Sequence, residues 1–188
     1  MSAVLSISLR MEPSMTWTKL SAITILTALL VLQAPLLAAP PAGPEAVLKA
    51  ADISAKLFPE HVFFRGQVAP VQMRNTGGIH FADDFYVLAG IVDNSGYAAD
   101  LRQKYQAYLI AEVAIEIGGQ KLQPGAYGVG FIADNKFIVM DLGAHDLVQI
   151  SSARDSEMKR PVPLQVTSVG GKYRLYKGRD YVEIARAQ

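Results

Sequence analysis

From Pro59 onward the apolar residues of this 188-residue chain recur mostly with a period of two, and turn formers interrupt them every few positions. No other feature constrains the fold as much. A strand sends successive side chains to opposite faces, so this period is the mark of half-buried strands. Apolar runs fall at 62–64, 71–73, 79–81 and 85–92, with Pro70 marking an edge or a bulge. The clearest strand is predicted over 105–117, where Tyr105, Ala107, Leu109, Ala111, Val113, Ile115 and Ile117 alternate with a face bearing Glu112 and Glu116. Further runs follow at 126–133, 136–141, 147–150, 164–169, 172–176 and 179–184. Ala82-Asp83-Asp84, Gly118-Gly119, Pro124-Gly125, Asp134-Asn135, Gly170-Gly171 and Lys177-Gly178 supply the turns between them. Parallel neighbours need crossovers of about a dozen residues or more, which this spacing does not leave, so the pairing is antiparallel. The prediction is a mainly β fold of roughly eight to ten strands, built as an antiparallel β-sandwich or an up-and-down β-barrel.

One helix is expected beside the sheet. Leu48, Ala51, Ala55 and Phe58 recur at helical spacing, Glu45 falls in the first turn and Pro59 ends the run, which predicts an N-terminal amphipathic helix over about 45–57. The segment 97–104 has room for a helical turn. Both arms around Asp134-Asn135 are apolar on both faces, with Val129, Phe131 and Ile132 before the turn and Phe137, Ile138 and Val139 after it. Strands of that kind are covered on two sides. The N-terminal helix would supply the second cover, and a dimer interface is the competing explanation.

Ahead of this domain the composition changes. Of the first 39 residues 24 are apolar, against 51% for the whole chain. Lys19 precedes a thirteen-residue apolar stretch over 20–32 that only Ser21, Thr24 and Thr27 interrupt, and Pro35 then leads into an Ala-rich exit. A positive residue, a short apolar core and small residues beyond it describe a secretory signal peptide over 1–39. The core is short of the ~20 apolar residues a membrane-spanning helix needs. An uncleaved N-terminal anchor is the alternative. Cleavage after Ala39 or Ala38 places Leu37 or Leu36 three residues before the bond, and a start at Met11 or Met15 would give a more compact leader. Residues 40–44 read as a stiff Pro-rich linker and 45–188 as one β-rich domain. The expected location is the periplasm or the exterior. With no cysteine there is neither a lipid attachment site nor a disulfide framework. A domain of about 149 residues buries a sufficient core without either.

The segment Glu116-Ile117-Gly118-Gly119-Gln120-Lys121-Leu122-Gln123-Pro124-Gly125-Ala126-Tyr127 resembles one found in uncharacterised bacterial secreted β-domain proteins. There a strand ends in a glycine turn, a leucine–x–proline/alanine–glycine–x–tyrosine step follows, and an apolar strand runs on. The resemblance covers about residues 113–140. It implies a β fold and export, and brings no catalytic residue with it.

The chemistry-bearing residues are few. Cysteine nucleophiles are excluded, and the nucleophile elbow, the P-loop, the dinucleotide glycine fingerprint and the two-histidine zinc helix are absent from the sequence. No cofactor is implied and no residue is assigned a catalytic role. Beyond residue 39 the chain has 16 basic and 16 acidic residues, which gives no electrostatic reason to bind nucleic acid. Any membrane association would run through the leader if it stays attached. His80 with Asp83, and His145 with Asp146, would offer a zinc or iron site if their segments met in space; the alternative is that each acid serves its own turn. Glu112 and Glu116, about 13 Å apart on one strand, are too distant for a glycosidase pair. The only tryptophan, Trp17, lies in the leader. Charge is unevenly laid out: residues 40–149 carry eight basic and twelve acidic side chains, and 150–188 carry eight basic and four acidic. Lys172, Arg174 and Tyr176 alternate onto one strand face with Arg179 at the next turn, a basic patch for an anionic surface, glycan or carboxylate. The alternative is pairing with acids of the same domain.

Three functions follow as expectations. The first is an exported, non-catalytic β-module that binds a partner or small ligand in the cell envelope. The second is a metal-assisted enzyme using His80 and His145 with their neighbouring aspartates. The third is a structural, oligomer-forming envelope protein.

Overall fold

The computed structural model describes residues 44–53 and 56–188, so the leader and most of the linker lie outside the described residues. Two antiparallel sheets pack face to face. In the larger sheet the order is β1 (Ala46–Lys49), β3 (Gln67–His80), β4 (Tyr86–Val92), β5 (Ala107–Ala111), β8 (Gly125–Ile132), β9 (Lys136–Met140) and β10 (Asp146–Ser151), with β2 (His61–Phe64) paired to the first half of β3. The smaller sheet runs β12 (Gln165–Val169), β13 (Lys172–Lys177), β14 (Asp180–Arg186), β6 (Ile115–Ile117) and β7 (Gln120–Leu122), and β11 (Ala153–Arg154) adds to β14. Of the two predicted architectures this is the sandwich. Alternation explains its core: Ile79, Val87, Leu109, Val129 and Val139 point inward from one sheet and meet Ile117, Val166, Leu175, Val182 and Ile184 from the other.

The turns do what their residues allow. Gly118-Gly119 (φ 54° and 82°) and Gly170-Gly171 (φ 60° and 78°) close two-residue hairpins whose twist needs positive φ at both positions. Asp134 and Asn135 are left-handed too (φ 61° and 53°), but Ala133 joins them in a three-residue connection. Phe81 and Phe85 close the turn around Ala82-Asp83-Asp84 through a backbone bond of 2.8 Å. Pro70 lies opposite His61 on the hairpin of β2 and β3 and accepts the Asp93 N–H at 2.9 Å, so it is not itself at an edge; the bulge lies just beyond it, between Val71 and Thr76. There three residues more on β3 than on β4 are accommodated, and Asn75→Gln72 and Thr76→Met73 side-chain bonds of 2.8 Å tie the bulge to itself.

Two expectations are corrected. The predicted helix over 45–57 is a strand at 46–49, paired with His80 to Gly77 of β3, followed by a turn that Asp52 closes on the Lys49 backbone N–H at 2.8 Å; residues 54 and 55 lie outside the described residues. The helical spacing was real but weak, and Val47 and Leu48 gain more by flanking the sheet edge, one packing on each side of it. Sheet pairing overrides local propensity here. The single strand over 105–117 is likewise two strands. At 112–114 the chain leaves the larger sheet and enters the smaller one, with Val113 buried at the corner. The alternating face looks into the same core before and after this corner, so a period of two does not register it. Glu112 and Glu116 therefore belong to different settings: Glu112 accepts the Tyr86 backbone N–H at 2.8 Å, and Glu116 stands opposite Lys121 on β6.

The outer face of the larger sheet is also covered, as its two-sided apolar strands require. The cover comes from within the domain, from Phe58, β2 and the segment holding α1 (Ala99–Lys104), rather than from an N-terminal helix. Phe64 stacks on Tyr105 with ring centroids 3.8 Å apart, and Tyr97 meets both rings edge-on while donating its hydroxyl to the Phe64 carbonyl at 3.0 Å. The stacked pair rests on Gly128, in the register row Gly90–Tyr108–Gly128. Behind it Gln106 uses its side-chain amide as a strand would, donating to the Phe131 carbonyl at 2.9 Å and accepting from the Phe131 N–H at 3.1 Å.

Candidate ligand-binding groove

The predicted polar cluster is not assembled. His80 ends β3, and its Nε2 lies 2.8 Å from Asp84 Oδ1 while the ring stacks flat on Tyr86 at 4.5 Å. Asp83 turns the other way and pairs with Arg186. His145 precedes β10 beside β9, four ladder steps or roughly 19 Å across the sheet from β3. Its backbone N–H and its Nδ1 both lie 2.9 Å from the Asp141 carboxylate, and Asp146 pairs with Lys104 at 2.7 Å. Each acid serves its own turn or a neighbouring cation. Among the described residues no group of three or more histidine, aspartate or glutamate side chains is placed to hold a metal.

The predicted basic face is partly compensated from within the domain, two of its cations sharing one carboxylate. Lys172 and Arg174 both bond Glu183 on β14, at 2.9 and 3.3 Å, and the Arg174 guanidinium also lies over the Tyr181 ring at 4.4 Å. Tyr176 is buried beside Tyr181 and donates to Asp155 at 3.2 Å, while Arg179 donates to the Met158 carbonyl. Hydrogen bonds from Lys172, and then from Arg174, hold the Glu183 carboxyl below its ordinary value of 4.5. A depressed folded-state value means stability that is present above the ordinary pKa and lost as pH falls below it. Glu183→Gln should therefore be less stable than the parent at pH 7, with the gap in urea midpoint narrowing as pH is lowered from about 5 to 3. An equal gap at both ends would show that the pair contributes no pH dependence.

A built recess lies elsewhere, where β12, the edge of the smaller sheet, passes β1 and β3. Gly77 permits the approach: a Cβ there would sit 2.9 Å from the Val166 backbone nitrogen. Beside this contact the bulge of β3 and the end of β1 stand off from residues 162–167 and leave a groove of about 460 Å³. That lies within the ~300–1,000 Å³ of small-molecule sites. Val47, Leu48, Leu164 and Val166 belong to or pack against the cores and give it apolar walls, extended outward by the exposed Val162 and Pro163. Its polar side chains are Lys49, Arg74, Asn75 and Gln165, and no carboxylate lines it. Among the described residues neither Arg74 nor the Lys49 ammonium has an ion-pair partner. The Thr167 hydroxyl is buried and makes no hydrogen bond among the described residues. It has no accessible surface, so a ligand in the open groove does not reach it.

A second cleft of about 530 Å³ lies between α1 and the β8–β9 turn. Its walls are mainly charged and amide side chains, and its Lys104 is engaged by Asp146. Phe131, Ile132 and Ala133 give it apolar surface as well, so the groove is set apart by its unpaired cations rather than by apolar area. The groove residues escaped the sequence reading because three distant segments build the site, and only the bulge brings Arg74 over β12. Pro70 was the one local signal that pointed there.

No family model, curated protein or solved structure matches this chain.

Proposed function

We propose that this chain is an exported, non-catalytic β-module of the cell envelope that binds a small ligand in the groove between β12 and the β1–β3 edge. The observation that carries the reading is the groove itself: apolar walls of core side chains, with the cations Arg74 and Lys49 and the amides Asn75 and Gln165 among its lining. The leader over 1–39 and the resemblance around residues 113–140 support export. The wide separation of His80 and His145 gives the metal-assisted reading no geometric support, and the covering of the larger sheet from within the domain removes the original motive for an oligomer interface.

Screening amphipathic small molecules by thermal shift tests the proposal. A ligand at a hundredfold excess over its Kd stabilises the folded state by about 2.7 kcal/mol. Compounds that raise the melting temperature should move the backbone amide resonances of residues 47–50, 74–76 and 164–167, and leave 131–136 in place. Binders that map only to the α1 cleft, or a panel with no binder, would overturn it.

A further inference from the structure

The lining of the groove also specifies its ligand. We infer that it takes an amphipathic carboxylate, an aliphatic acid with its tail against the apolar walls and its head at Arg74 and Lys49; this rests on the binding reading above. Charge is the first argument. The groove presents two cations and no carboxylate, whereas Lys172 and Arg174 on the adjoining sheet share Glu183 and Arg186 has Asp83. Uncompensated positive charge beside apolar walls favours an anion, because the head keeps one side in water while the tail leaves it. A guanidinium meets a carboxylate through two parallel N–H···O bonds, which makes Arg74 the principal contact.

Arg74 is also held in place. It sits on the β3 bulge, where the Thr76 hydroxyl bonds the Met73 carbonyl across it and the Asn75 and Gln72 side chains bond each other. Lys49 ends β1, just before the turn that Asp52 closes, and Asp52 spends a carboxylate oxygen on the Lys49 backbone N–H. An extended peptide fits less well. β12 has a free edge, but its contact with β3 at Gly77 leaves no room for a strand to run between them. A compact ligand seated beside that contact meets no such bar.

Calorimetric titration of the purified protein, as the cell processes it, with hexanoate, octanoate and decanoate below their micelle concentrations tests the assignment. Decanol and decyltrimethylammonium serve as the neutral and cationic controls. Affinity should rise about fourfold for each methylene buried until the groove is full. Decanoate should bind at least tenfold more tightly than decanol, and the cation should not bind. Arg74→Gln should remove at least tenfold of decanoate affinity and leave decanol unchanged; both Arg74 and Lys49 are exposed, so an unchanged melting temperature of the free variant certifies its fold. If decanol binds as well as decanoate and Arg74→Gln has no effect, the carboxylate assignment fails while the groove remains a binding site. If Val162→Trp, a large ring at an exposed lining position of the groove, leaves every titration unaltered, or if neither amphiphile binds, the site itself is refuted along with its ligand.

Discussion

Replacing Gly128 by alanine is expected to lower the thermal midpoint by about 10 °C, a large effect for one methyl group. A Cβ at this position would lie 2.4 Å from Phe64 Cε2, 2.6 Å from Cζ and 3.0 Å from Tyr105 Cδ2. Both rings are buried, and neither slides easily. They are stacked 3.8 Å apart, and Tyr97 blocks them edge-on while its hydroxyl fixes the backbone of Phe64. Overpacking of a close-packed site costs about 1–3 kcal/mol, and this contact belongs at the upper end. At roughly 2–4 °C per kcal/mol for a domain of this size, the shift follows. Phe64→Leu supplies the control. Alone it should destabilise by leaving a void, and combined with Gly128→Ala it should cost less than the sum of the two. A coupling of about 1 kcal/mol or more would certify the stacked pair, whereas strict additivity would mean that the ring does not press on Gly128.

This cluster shows where the sequence was readable. Each strand and each hairpin turn is a local pattern, and the alternation of Val87 with Leu88, or of Val129 with Gly130, exposes the two faces directly. What covers the second face is not local. Phe64, Tyr97 and Tyr105 come from separate segments and read as ordinary strand or loop residues until the fold places them together. The helical spacing of Leu48, Ala51, Ala55 and Phe58 misled for the same reason: a four-residue pairing with β3 outweighs it, and β3 is thirty residues away. The charge pairing was closer to hand. Counting back from the Gly178–Arg179 turn sets Arg174 opposite Glu183, so this pairing on the basic face was implicit in the hairpin register. The groove offered no such route, since Lys49, Arg74 and Gln165 come to line one recess only through the packing of two sheet edges.

The second large effect is expected at Gly130, and its physics differs from that at Gly128. Here the obstacle is backbone: a Cβ would lie 2.0 Å from the Lys104 carbonyl oxygen and 2.9 Å from its carbon. No rotamer change relieves that contact, so α1 has to lift from β8. Lifting it strains several bonds at once, because Gln106 N–H donates to the Val129 carbonyl at 3.0 Å, its amide pairs with both backbone groups of Phe131, and Asn94 donates to the carbonyls of Arg102 and Tyr105. Gly130→Ala should cost about 3 kcal/mol or more. Hydrogen exchange distinguishes its two possible forms, since a global loss lowers protection everywhere while a detached α1 exposes the amides of Tyr105, Gln106 and Phe131 first. Gly66→Ala calibrates the result. Gly66 has φ 77° with nothing within 4 Å of an added Cβ, so alanine there costs only the left-handed backbone, about 1–2 kcal/mol. Gly130→Ala must exceed that value clearly. Equal costs at the two sites would show that α1 yields freely, and that the wall of the neighbouring cleft is too pliant to hold a ligand.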